Sequence, residues 1–474
     1  MARSAWAPRS AVSGAADLVD AIAADIRSGR LALGERLPGT RELAKALDLN
    51  RKTVVAAFAE LEAEGWIRLR AGSGAFVAAT AQETARAART SPRAAFPLPP
   101  PVETGKEAMW PLPSHPRMLR MSGGQPDLRV LPLDSLARAW RRALAGTGRA
   151  LVDYADTAGE PTLLAALSDW LAETRGVRPS PGGIIVTRGS QGALYLLARA
   201  VLRPGDRVAV ERFGYGPAWA VFREAGLEVV PVPVDEAGVD VEALSRLVSI
   251  RAVYLTPHHQ YPTGAVLSPS RRARLLSLAA ERRWMVIEDD YDHEFHYVGR
   301  PVLPLASADT RGAVAYVGTL SKALAPGLRV GFAVAPPPVI ERLSAYRRLV
   351  DRQGDHVTER AVAELILDGS LGRHIRRSRR VYQRRRATLL AALAASFGPR
   401  LEPNDPPGGM ALWVHAPGID VDAWAARARA LGVEFTTARE YAFDHVPRPF
   451  VRLGFACLDE AEIVEAVGRM RRGW

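Results

Sequence analysis

The sequence of 474 residues contains a single cysteine, Cys457. One cysteine excludes an internal disulfide, and such low cysteine usage is typical of a reducing compartment, so we expect a cytoplasmic protein. No cysteine or histidine spacing predicts a metal site, and the adjacent Asp289 and Asp290 do not make one by themselves. His258 and His259 fit structural roles better than catalytic ones.

Long apolar runs are missing as well. No stretch of about eighteen apolar residues occurs, so we expect no membrane-spanning helix. The N-terminal segment also lacks the apolar core and cleavage site of a secretion signal. The remaining composition, with 48% hydrophobic and 24% charged residues, is typical of a globular protein, and the length predicts more than one domain.

Acidic residues are too few to balance the basic ones. The chain has 63 Lys and Arg against 51 Asp and Glu, for a formal net charge of +12. This excess favours a polyanionic partner, because cationic side chains that pair with phosphates release condensed counterions. An arginine-rich composition without any such partner gives the same charge, so the arrangement of the residues must decide between the two.

The N-terminal part of the chain predicts three short helices and a hairpin. Apolar residues recur four positions apart from Leu18 to Ile26, which indicates an amphipathic helix. A second helix opens near Thr40, and Asn50 is a good N-cap for a third. Two apolar runs within residues 66–77, separated by a basic, glycine-rich tip, indicate a hairpin. Residues 12–78 are therefore predicted to be a winged helix-turn-helix domain, with a purely structural appendage as the alternative.

A winged helix-turn-helix places the start of its third helix in the major groove of DNA. Long hydrogen-bond donors are required there, and Arg51, Lys52 and Thr53 provide them. The hairpin tip around Ser73 has no bulky side chain, so its backbone amides can approach a phosphate closely. We therefore predict that these four residues contact DNA.

The exact amino-acid sequence of this part is also informative. The segment IRSGRLALGERLPGTRELAKALDLNRKTVVAAFAELEAEGW and the GSGAFV that follows resemble the GntR family of regulators, and the resemblance spans residues 15–78. It implies DNA contacts by the arginine of the LP-x-x-R segment, Arg41, and by Arg51, which opens the recognition helix. Mild departures precede the second and third helices, where threonine and asparagine still serve as caps.

The rest of the chain predicts a second, larger domain. Residues 79–118 are rich in Ala and Pro and predict an extended linker. Over residues 119–474, strand-like apolar runs alternate with amphipathic helices, which predicts an α/β fold with a mostly parallel sheet covered by helices on both faces. Ligands of such sheets bind outside the carboxyl ends of the strands, where the loop over residues 189–192 lies.

Lys322 is the strongest candidate for chemistry. It leaves a predicted buried strand beside small residues and precedes Arg329 by seven positions. A lysine amine must lose its proton to form a Schiff base with an aldehyde, and a partly desolvated, electropositive pocket promotes this by lowering the pKa of the amine. Arg329 is spaced to grip a phosphate with its planar guanidinium. An exposed surface lysine is the alternative.

Further polar residues follow other predicted strands. Asp289 ends the strand over residues 284–288, where a carboxylate keeps a pyridine nitrogen protonated, and Tyr291 can hydrogen-bond a phenolic oxygen. Residues 187–193 join a strand to a helix, so their amides can cradle a phosphate. Tyr215 offers an aromatic face, and Arg452 in an apolar strand requires an anion. A helix cap for Asp289 and a core position for Tyr215 are the alternatives.

Residues 119–474 resemble fold type I aminotransferases, which implies a C-terminal α+β lobe after the sheet. With its GntR-like front end, the chain resembles the MocR/GabR group of regulators. The resemblance implies pyridoxal 5'-phosphate as the cofactor, Lys322 as its Schiff-base lysine and Arg452 as the ligand of an amino acid's α-carboxylate. The other cofactor-binding residues that it implies are Ser190, Gln191, Tyr215, Asp289, Tyr291, Ser321 and Arg329. Tyr154 would reach the cofactor of the neighbouring subunit, which implies a homodimer in a domain-swapped arrangement.

Two positions depart from the related proteins. Aminotransferases carry asparagine where this chain has Tyr261, so one hydrogen bond to the phenolic oxygen is replaced, a change that regulators of this group share. GABA-responsive members carry an arginine where this chain has Pro217. GABA is therefore not expected as the effector.

The predicted function is that of a transcription regulator that binds a double-stranded DNA operator and senses an amino acid or amine by forming an aldimine with the cofactor. An active aminotransferase with an accessory DNA-binding module is one alternative, and a DNA-binding protein with an inert dimerisation domain is another. The arginine-rich segment over residues 373–386 is expected to be a solvated or subunit-facing helix, with DNA contact as its alternative. The effector, the operator sequence and the sign of regulation do not follow from the residues.

Overall fold

The computed structural model describes residues 6–8, 12–78, 118–121 and 123–474. The chain divides into two compact units, Met1–Val102 and Glu103–Trp474. The linker expected over residues 79–118 lies outside the described residues, except for residue 118. Among the residues that are described, no helix combines the length and apolar character that a membrane span requires.

The N-terminal unit has the predicted three helices and hairpin. Its elements are α1 (Ala15–Arg27), α2 (Thr40–Ala46), α3 (Arg51–Ala63), β1 (Ile67–Arg70) and β2 (Gly74–Val77). The apolar face of α1 packs on α3, where Leu18, Phe58 and Leu61 are buried in one core. Asn50 caps α3 as expected, because its side-chain oxygen accepts a hydrogen bond of 2.9 Å from the backbone amide of Lys52.

The hairpin differs from the prediction at its tip. Strands β1 and β2 pair in register from Ile67 with Val77 to Arg70 with Gly74, so they extend into the basic segment that was expected to form a loop. The turn is therefore reduced to three residues, Ala71 to Ser73. Charged side chains on an exposed strand face are compatible with pairing, because alternate side chains of a strand point to opposite faces.

The described part of the larger unit contains two sheets of more than two strands. Its helices are α4 (Leu133–Leu151), α5 (Pro161–Arg175), α6 (Gly189–Ala200), α7 (Gly216–Glu224), α8 (Val241–Ser245), α9 (Pro269–Arg282), α10 (Leu305–Ala308), α11 (Pro337–Val350), α12 (His356–Leu367), α13 (Ser370–Phe397), α14 (Val421–Ala430), α15 (Ala438–Tyr441) and α16 (Glu460–Arg472). Its strands are β3 (Leu119–Arg120), β4 (Ile184–Thr187), β5 (Arg207–Glu211), β6 (Glu228–Val232), β7 (Val234–Asp235), β8 (Gly238–Val239), β9 (Ile250–Leu255), β10 (Met285–Asp290), β11 (Val314–Thr319), β12 (Gly331–Val334), β13 (Glu402–Asn404), β14 (Ala411–His415), β15 (Val433–Glu434), β16 (Thr436–Thr437) and β17 (Phe450–Gly454).

The main sheet has seven strands in the order β4-β12-β11-β10-β9-β5-β6. All neighbours are parallel except β12, which runs antiparallel to both β11 and β4. The neighbouring residues Tyr316 and Val317 of β11 belong to different hydrophobic clusters, so apolar side chains cover both faces of the sheet. The predicted mostly parallel sheet is confirmed, and the carboxyl ends of its parallel strands meet along one edge.

The C-terminal lobe is the predicted α+β unit. An antiparallel sheet in the order β13-β14-β17-β16 packs against α13, α14 and α16. Its core contains Phe397, Trp424 and Phe455, all buried. Strand β17 carries Arg452, so this lobe brings an arginine into an otherwise apolar layer.

The arginine-rich segment forms part of α13, and several of its arginines have partners inside the fold. Arg385 is buried and pairs with Asp127 at 2.9 Å. Arg386 pairs with Asp405, and Arg384 lies 3.4 Å from Glu460. These contacts support the structural interpretation for the C-terminal half of the segment, whereas Arg376, Arg377 and Arg380 are exposed.

Candidate cofactor-binding site

A cavity of about 590 Å³ opens at the carboxyl edge of the main sheet. Most of its lining residues lie at or just after strand ends or at the start of a helix. The lining residues are Gly124, Gln125, Pro126, Ser190, Gln191, Tyr215, Pro217, Tyr254, Thr256, Tyr261, Asp289, Tyr291, Thr319, Ser321, Lys322, Pro326, Gly327 and Arg329. Seven of the predicted cofactor-binding residues and the predicted nucleophile therefore share one cleft, which is where ligands of parallel sheets bind.

Lys322 enters the cavity three residues after the end of β11. Burial inside the cleft and the nearby positive charge of Arg452 lower the pKa of the Lys322 amine to about 8. A lysine with this pKa has a much larger neutral fraction near neutral pH than an exposed lysine, and only the neutral amine is a nucleophile. The environment of Lys322 therefore suits covalent chemistry with an aldehyde.

Asp289 lies one residue before the end of β10, inside the strand and not after it as predicted. The hydroxyl of Tyr254 donates a hydrogen bond of 2.9 Å to its Oδ2 atom, whereas Oδ1 is buried without a hydrogen-bond partner among the described residues. Burial raises the pKa of the Asp289 carboxyl to about 7. A protonated ring nitrogen facing Oδ1 would supply the missing donor and stabilise the charged carboxylate.

The start of α6 forms an anion cradle. The helix begins at Gly189, four residues earlier than the apolar pattern predicts, so Ser190 and Gln191 lie in its first turn, where backbone amides point outward. Gly189 has a φ of +69°, and a Cβ atom there would lie 3.2 Å from the guanidinium of Arg329. Arg329 in turn donates a hydrogen bond of 3.0 Å to the carbonyl of Arg188. A phosphate at this helix end would meet a positive charge and oriented amides.

Ser321 completes the cradle from the β11 side. Its backbone amide donates a hydrogen bond of 3.1 Å to the hydroxyl of Thr319, which itself donates to the Ser321 hydroxyl oxygen at 2.9 Å. Gln191 donates from Nε2 to the carbonyl of Pro217 at 2.8 Å, while its Oε1 atom is buried without a partner among the described residues. These contacts fix the polar side chains before a ligand arrives.

Aromatic side chains form the opposite wall. The ring of Tyr261 meets the rings of Tyr215, Tyr291 and Tyr441 edge to face, with centroid distances of 5.6, 5.8 and 5.4 Å. The hydroxyl of Tyr291 donates to the carbonyl of His259 at 3.1 Å. Tyr215 therefore presents a wall of the cavity, as its predicted stacking role requires.

Arg452 lies behind this wall. The residue is only 2% exposed, and its guanidinium carbon sits 4.5 Å from the centre of the Tyr261 ring. Its Nε and Nη1 atoms are buried without a hydrogen-bond partner among the described residues. Buried donors without acceptors are costly, so this position favours an anionic ligand such as a carboxylate.

Comparisons with known proteins support the family resemblance of both units of the chain. Residues 15–77 match the family described as "Bacterial regulatory proteins, gntR family", and residues 116–470 match "Aminotransferase class I and II". The "Probable rhizopine catabolism regulatory protein MocR" of Rhizobium meliloti is 31% identical over 96% of this chain and 92% of its own length. The "HTH-type transcriptional regulator TauR" of Rhodobacter capsulatus is 33% identical over 94% of this chain and 93% of its own. The chain belongs to the MocR-type regulators.

A solved structure supports the assignment of the larger unit of this regulator to the aminotransferase fold. LysN, an α-aminoadipate aminotransferase from Thermus thermophilus that was solved with N-(5'-phosphopyridoxyl)-L-leucine, is 32% identical. The match covers 76% of this chain and 92% of LysN, with a TM-score of 0.70. The cofactor of this fold is pyridoxal phosphate, and the orphan oxygen of Asp289, the cradle at Gly189 and the amine of Lys322 fit its ring nitrogen, phosphate and aldehyde.

Tyr154 does not line the cavity of its own chain. Its side chain is exposed, at 79%, and its ring lies 5.1 Å from the guanidinium carbon of Arg352. Tyr154 is therefore not a buried core tyrosine, whereas its predicted contact with a neighbouring subunit stays a prediction.

The predicted DNA-contacting residues occupy the expected elements of the N-terminal unit. Arg41 is exposed on α2, Arg51 and Lys52 are exposed in the first turn of α3, and Ser73 is exposed in the hairpin turn. Thr53 is half-buried. Their contact with DNA stays a prediction.

Sequence reasoning missed two supporting residues, Tyr254 and Glu211. Tyr254 lies inside β9, where a tyrosine in an apolar run gives no signal of a polar role. Glu211 ends β5, accepts hydrogen bonds from the amide and hydroxyl of Thr256 at 3.1 and 2.9 Å, and has its pKa raised to about 7 by burial. A carboxylate at the end of an apolar strand was the available signal for Glu211.

Replacing Asp289 with asparagine should weaken binding of pyridoxal phosphate by about 10- to 150-fold, the equivalent of a charge-assisted hydrogen bond of about 1.5–3 kcal/mol. The loss is expected because an amide does not hold the ring nitrogen protonated. Titration of the cofactor-free protein with pyridoxal phosphate, followed by absorbance, measures the change. Asp235→Asn removes an exposed carboxylate outside the cavity and serves as the control. Equal affinity of the two variants for pyridoxal phosphate would show that Asp289 does not bind the cofactor.

Proposed function

We propose that this regulator senses a small amino-group effector in the aminotransferase-like cavity and that the effector changes how its winged helices bind DNA. One observation carries the proposal. A lysine with a lowered pKa and the buried Arg452 adjoin one cavity, in a chain that also has a GntR module, and two nitrogen atoms of Arg452 have no hydrogen-bond partner among the described residues. An amine with a carboxylate is the simplest ligand that addresses both groups.

The residues of the cavity have separate tasks. When bound, pyridoxal phosphate supplies an aldehyde that reacts reversibly with amines. Lys322 would hold the cofactor through Nζ, and Nζ would take up the proton that an incoming effector amine loses. Asp289 would accept a hydrogen bond from the ring nitrogen, and Arg452 would pair with the acid group of the effector. Tyr261 keeps water away from that ion pair, because its ring covers the guanidinium.

Effector binding changes DNA binding only to the extent that it favours one conformation of the protein over another. We propose a homodimer, in the domain-swapped arrangement, in which Tyr154 reaches the neighbouring cofactor. Its exposed position supports this role. Two winged helices on a symmetric dimer require paired half-sites, and the linker that the sequence predicts over residues 79–118 would permit direct or inverted repeats. We place this activity in the cytoplasm, where an operator is accessible.

A screen of amines and amino acids against the purified holoprotein tests the proposal. An effector should change the absorbance of the bound cofactor and raise the midpoint of thermal unfolding, because a ligand at about 100 times its Kd stabilises the bound state by about 2.7 kcal/mol. The same compound should change the affinity for a DNA fragment carrying the operator. A compound that binds in the cavity without any effect on DNA affinity would contradict the gating scheme.

An active aminotransferase is the second candidate. It is favoured by the complete set of a lysine for proton transfer and an aspartate for the ring nitrogen. Incubation of the holoprotein with an effector and a keto acid distinguishes the two functions. Repeated turnover, measured as new amino acid formed per chain, indicates an enzyme, and a single spectral change without product indicates a sensor.

Replacing Arg51 with alanine should weaken operator binding by about 1–3 kcal/mol, because the side chain is exposed at the start of the recognition helix. Fluorescence anisotropy at several salt concentrations measures the affinity and its salt slope. Arg300→Ala, which removes one exposed cation from the larger unit, controls for the change in net charge. If both variants lose the same affinity, Arg51 acts only through charge and does not read the operator.

A further inference from the structure

A cluster of histidines lies behind the cofactor cavity. His258 and His259 follow β9, and His293 and His296 follow β10, the neighbouring parallel strand. All four side chains are buried, between 1% and 7% exposed. The loops after neighbouring parallel strands lie at the same edge of the sheet, which explains why residues more than thirty positions apart meet here.

Three of these histidines converge on one point. One ligand atom from each of His258, His259 and His296 lies within 4.8 Å of those of the other two. The rings of His258 and His259 have centroids 4.2 Å apart, and the ring of His296 lies 6.0 Å from each of them. Imidazole nitrogens at such spacing need only small side-chain rotations to share one ion.

The tautomers of two of them are set by their partners. His259 Nδ1 lies 2.8 Å from a carboxylate oxygen of Asp292, and His258 Nδ1 lies 3.1 Å from the carbonyl of Val302. Both partners only accept hydrogen bonds, so in each neutral ring Nδ1 carries the proton and Nε2 carries the lone pair. A histidine oriented in this way by a carboxylate or carbonyl is typical of metal ligands.

No residue that the structure describes donates a hydrogen bond to the remaining ring nitrogens. His258 Nε2, His259 Nε2 and His296 Nδ1 are buried without a hydrogen-bond partner among the described residues. Three buried nitrogens without partners are costly, and a cation at their centre would compensate all of them.

Glycine at position 408 lets the backbone approach His259 closely. A Cβ atom at Gly408 would lie 2.4 Å from His259 Nε2, so a side chain at this position would clash with the imidazole ring. The acid that orients His259 also fits a cation, since Oδ2 of the buried Asp292 has no hydrogen-bond partner among the described residues. A buried carboxylate bonded to a neutral imidazole is stabilised when a dication binds the other nitrogen of that ring.

We propose that His258, His259 and His296 form a binding site for a divalent transition-metal ion of the zinc class, with Asp292 and the Val302 carbonyl as supporting groups. Imidazole nitrogens suit zinc and its neighbours better than magnesium or calcium, which require oxygen ligands. No cysteine or histidine spacing predicted such a site, because its ligands come from two separate strand ends.

The site adjoins the cofactor cavity through shared backbone. The hydroxyl of Tyr291, which lines the cavity, donates to the carbonyl of His259. An ion bound by His259 would hold this segment in place and would therefore stiffen one wall of the effector cavity. The proposed metal site stands independently of the proposed effector sensing, because its ligands do not line the cavity.

The test is zinc binding by untagged full-length holoprotein after removal of metals with a chelator. Isothermal titration calorimetry with Zn²⁺ should show about one ion per chain and a higher midpoint of thermal unfolding. His258→Gln and His296→Gln should each weaken binding by about 100-fold, and Asp292→Asn by about 10- to 100-fold. His374→Gln, a buried histidine on α13 outside the cluster, is the matched control and should bind zinc normally.

Absence of stoichiometric binding by the wild-type protein would overturn the proposal. Binding that is the same in all variants would overturn it as well, since the zinc would then be held elsewhere. If a variant does not fold, X-ray absorption spectroscopy of the wild-type zinc protein decides, because it reports the ligands directly. A shell of imidazole nitrogens is expected, and a shell of oxygen or sulfur ligands alone would contradict it.

Discussion

Replacing Lys322 with alanine should abolish covalent attachment of the cofactor and, with it, every response of DNA binding to an amino-group effector. Lys322 is the one lysine that lines the described cavity, and burial together with Arg452 lowers the pKa of its amine to about 8. The phosphate cradle at Gly189 and the carboxylate of Asp289 remain in the variant, so weaker, noncovalent binding of pyridoxal phosphate should persist. We therefore expect the variant to lose the covalent bond to the cofactor and to keep its fold.

Two measurements check this expectation. Reduction of the holoprotein with borohydride should add the mass of the cofactor to the wild-type chain and leave the Lys322→Ala chain unchanged. Operator binding without effector should be equal in both proteins, because the GntR module is not altered. Lys45→Ala, which removes an exposed lysine from α2, is the control for the borohydride assay and should be labelled like wild type. Labelling of the Lys322→Ala chain to the wild-type extent would show that another amine holds the cofactor.

The fold was largely predictable because the strands of the main sheet are mostly apolar. All residues of β4 and β11 are buried, and such runs stand out in a sequence. The start of α6 was placed four residues late, since its first turn contains only glycine, serine and glutamine and has no apolar periodicity. The antiparallel direction of β12 was not predicted, because an apolar pattern contains no information on strand direction.

The site was predictable where one segment carries several functional residues. Lys322, Ser321 and Arg329 lie close together in the sequence, so the spacing of these residues and the resemblance to a family predicted the same roles. Tyr254 was missed because its hydroxyl meets Asp289 only after two strands pair. The histidine cluster was missed for the same reason, since neither segment alone has the spacing of a metal site. Contacts between strands depend on sheet order, which the sequence of one chain does not provide.

Replacing Arg452 with methionine should remove effector recognition while leaving the ligand-free protein at least as stable as wild type. The two properties separate because Arg452 is buried with two nitrogen atoms unpaired among the described residues. Loss of one partner of a buried charge pair costs about 2–5 kcal/mol of binding free energy. An effector with an acid group should therefore bind about 30- to 5,000-fold more weakly to the variant.

The buried charge of Arg452 that favours effector binding destabilises the protein when no effector is present, so its removal should not lower the stability of the ligand-free variant. A buried guanidinium with unpaired donors is unfavourable, and apolar residues of similar volume in place of buried charges are often neutral or stabilising. The contact with the Tyr261 ring is lost, but the flexible thioether of methionine makes its own contacts with aromatic rings. We expect the free energy of unfolding in the absence of effector to be unchanged or to rise by about 1 kcal/mol.

Thermal unfolding with and without effector distinguishes a recognition residue from a structural one. The wild-type midpoint should rise with effector, and the Arg452→Met midpoint should start at least as high and not move. Arg448→Met, which breaks an ion pair with Asp444 near the surface of the same lobe, is the matched control and should respond to effector like wild type. Buried donors without acceptors are unfavourable in the ligand-free protein, and we expect the effector to satisfy them. An Arg452→Met variant that unfolds several kcal/mol more easily yet keeps its effector response would contradict this, and would show that Arg452 stabilises the fold.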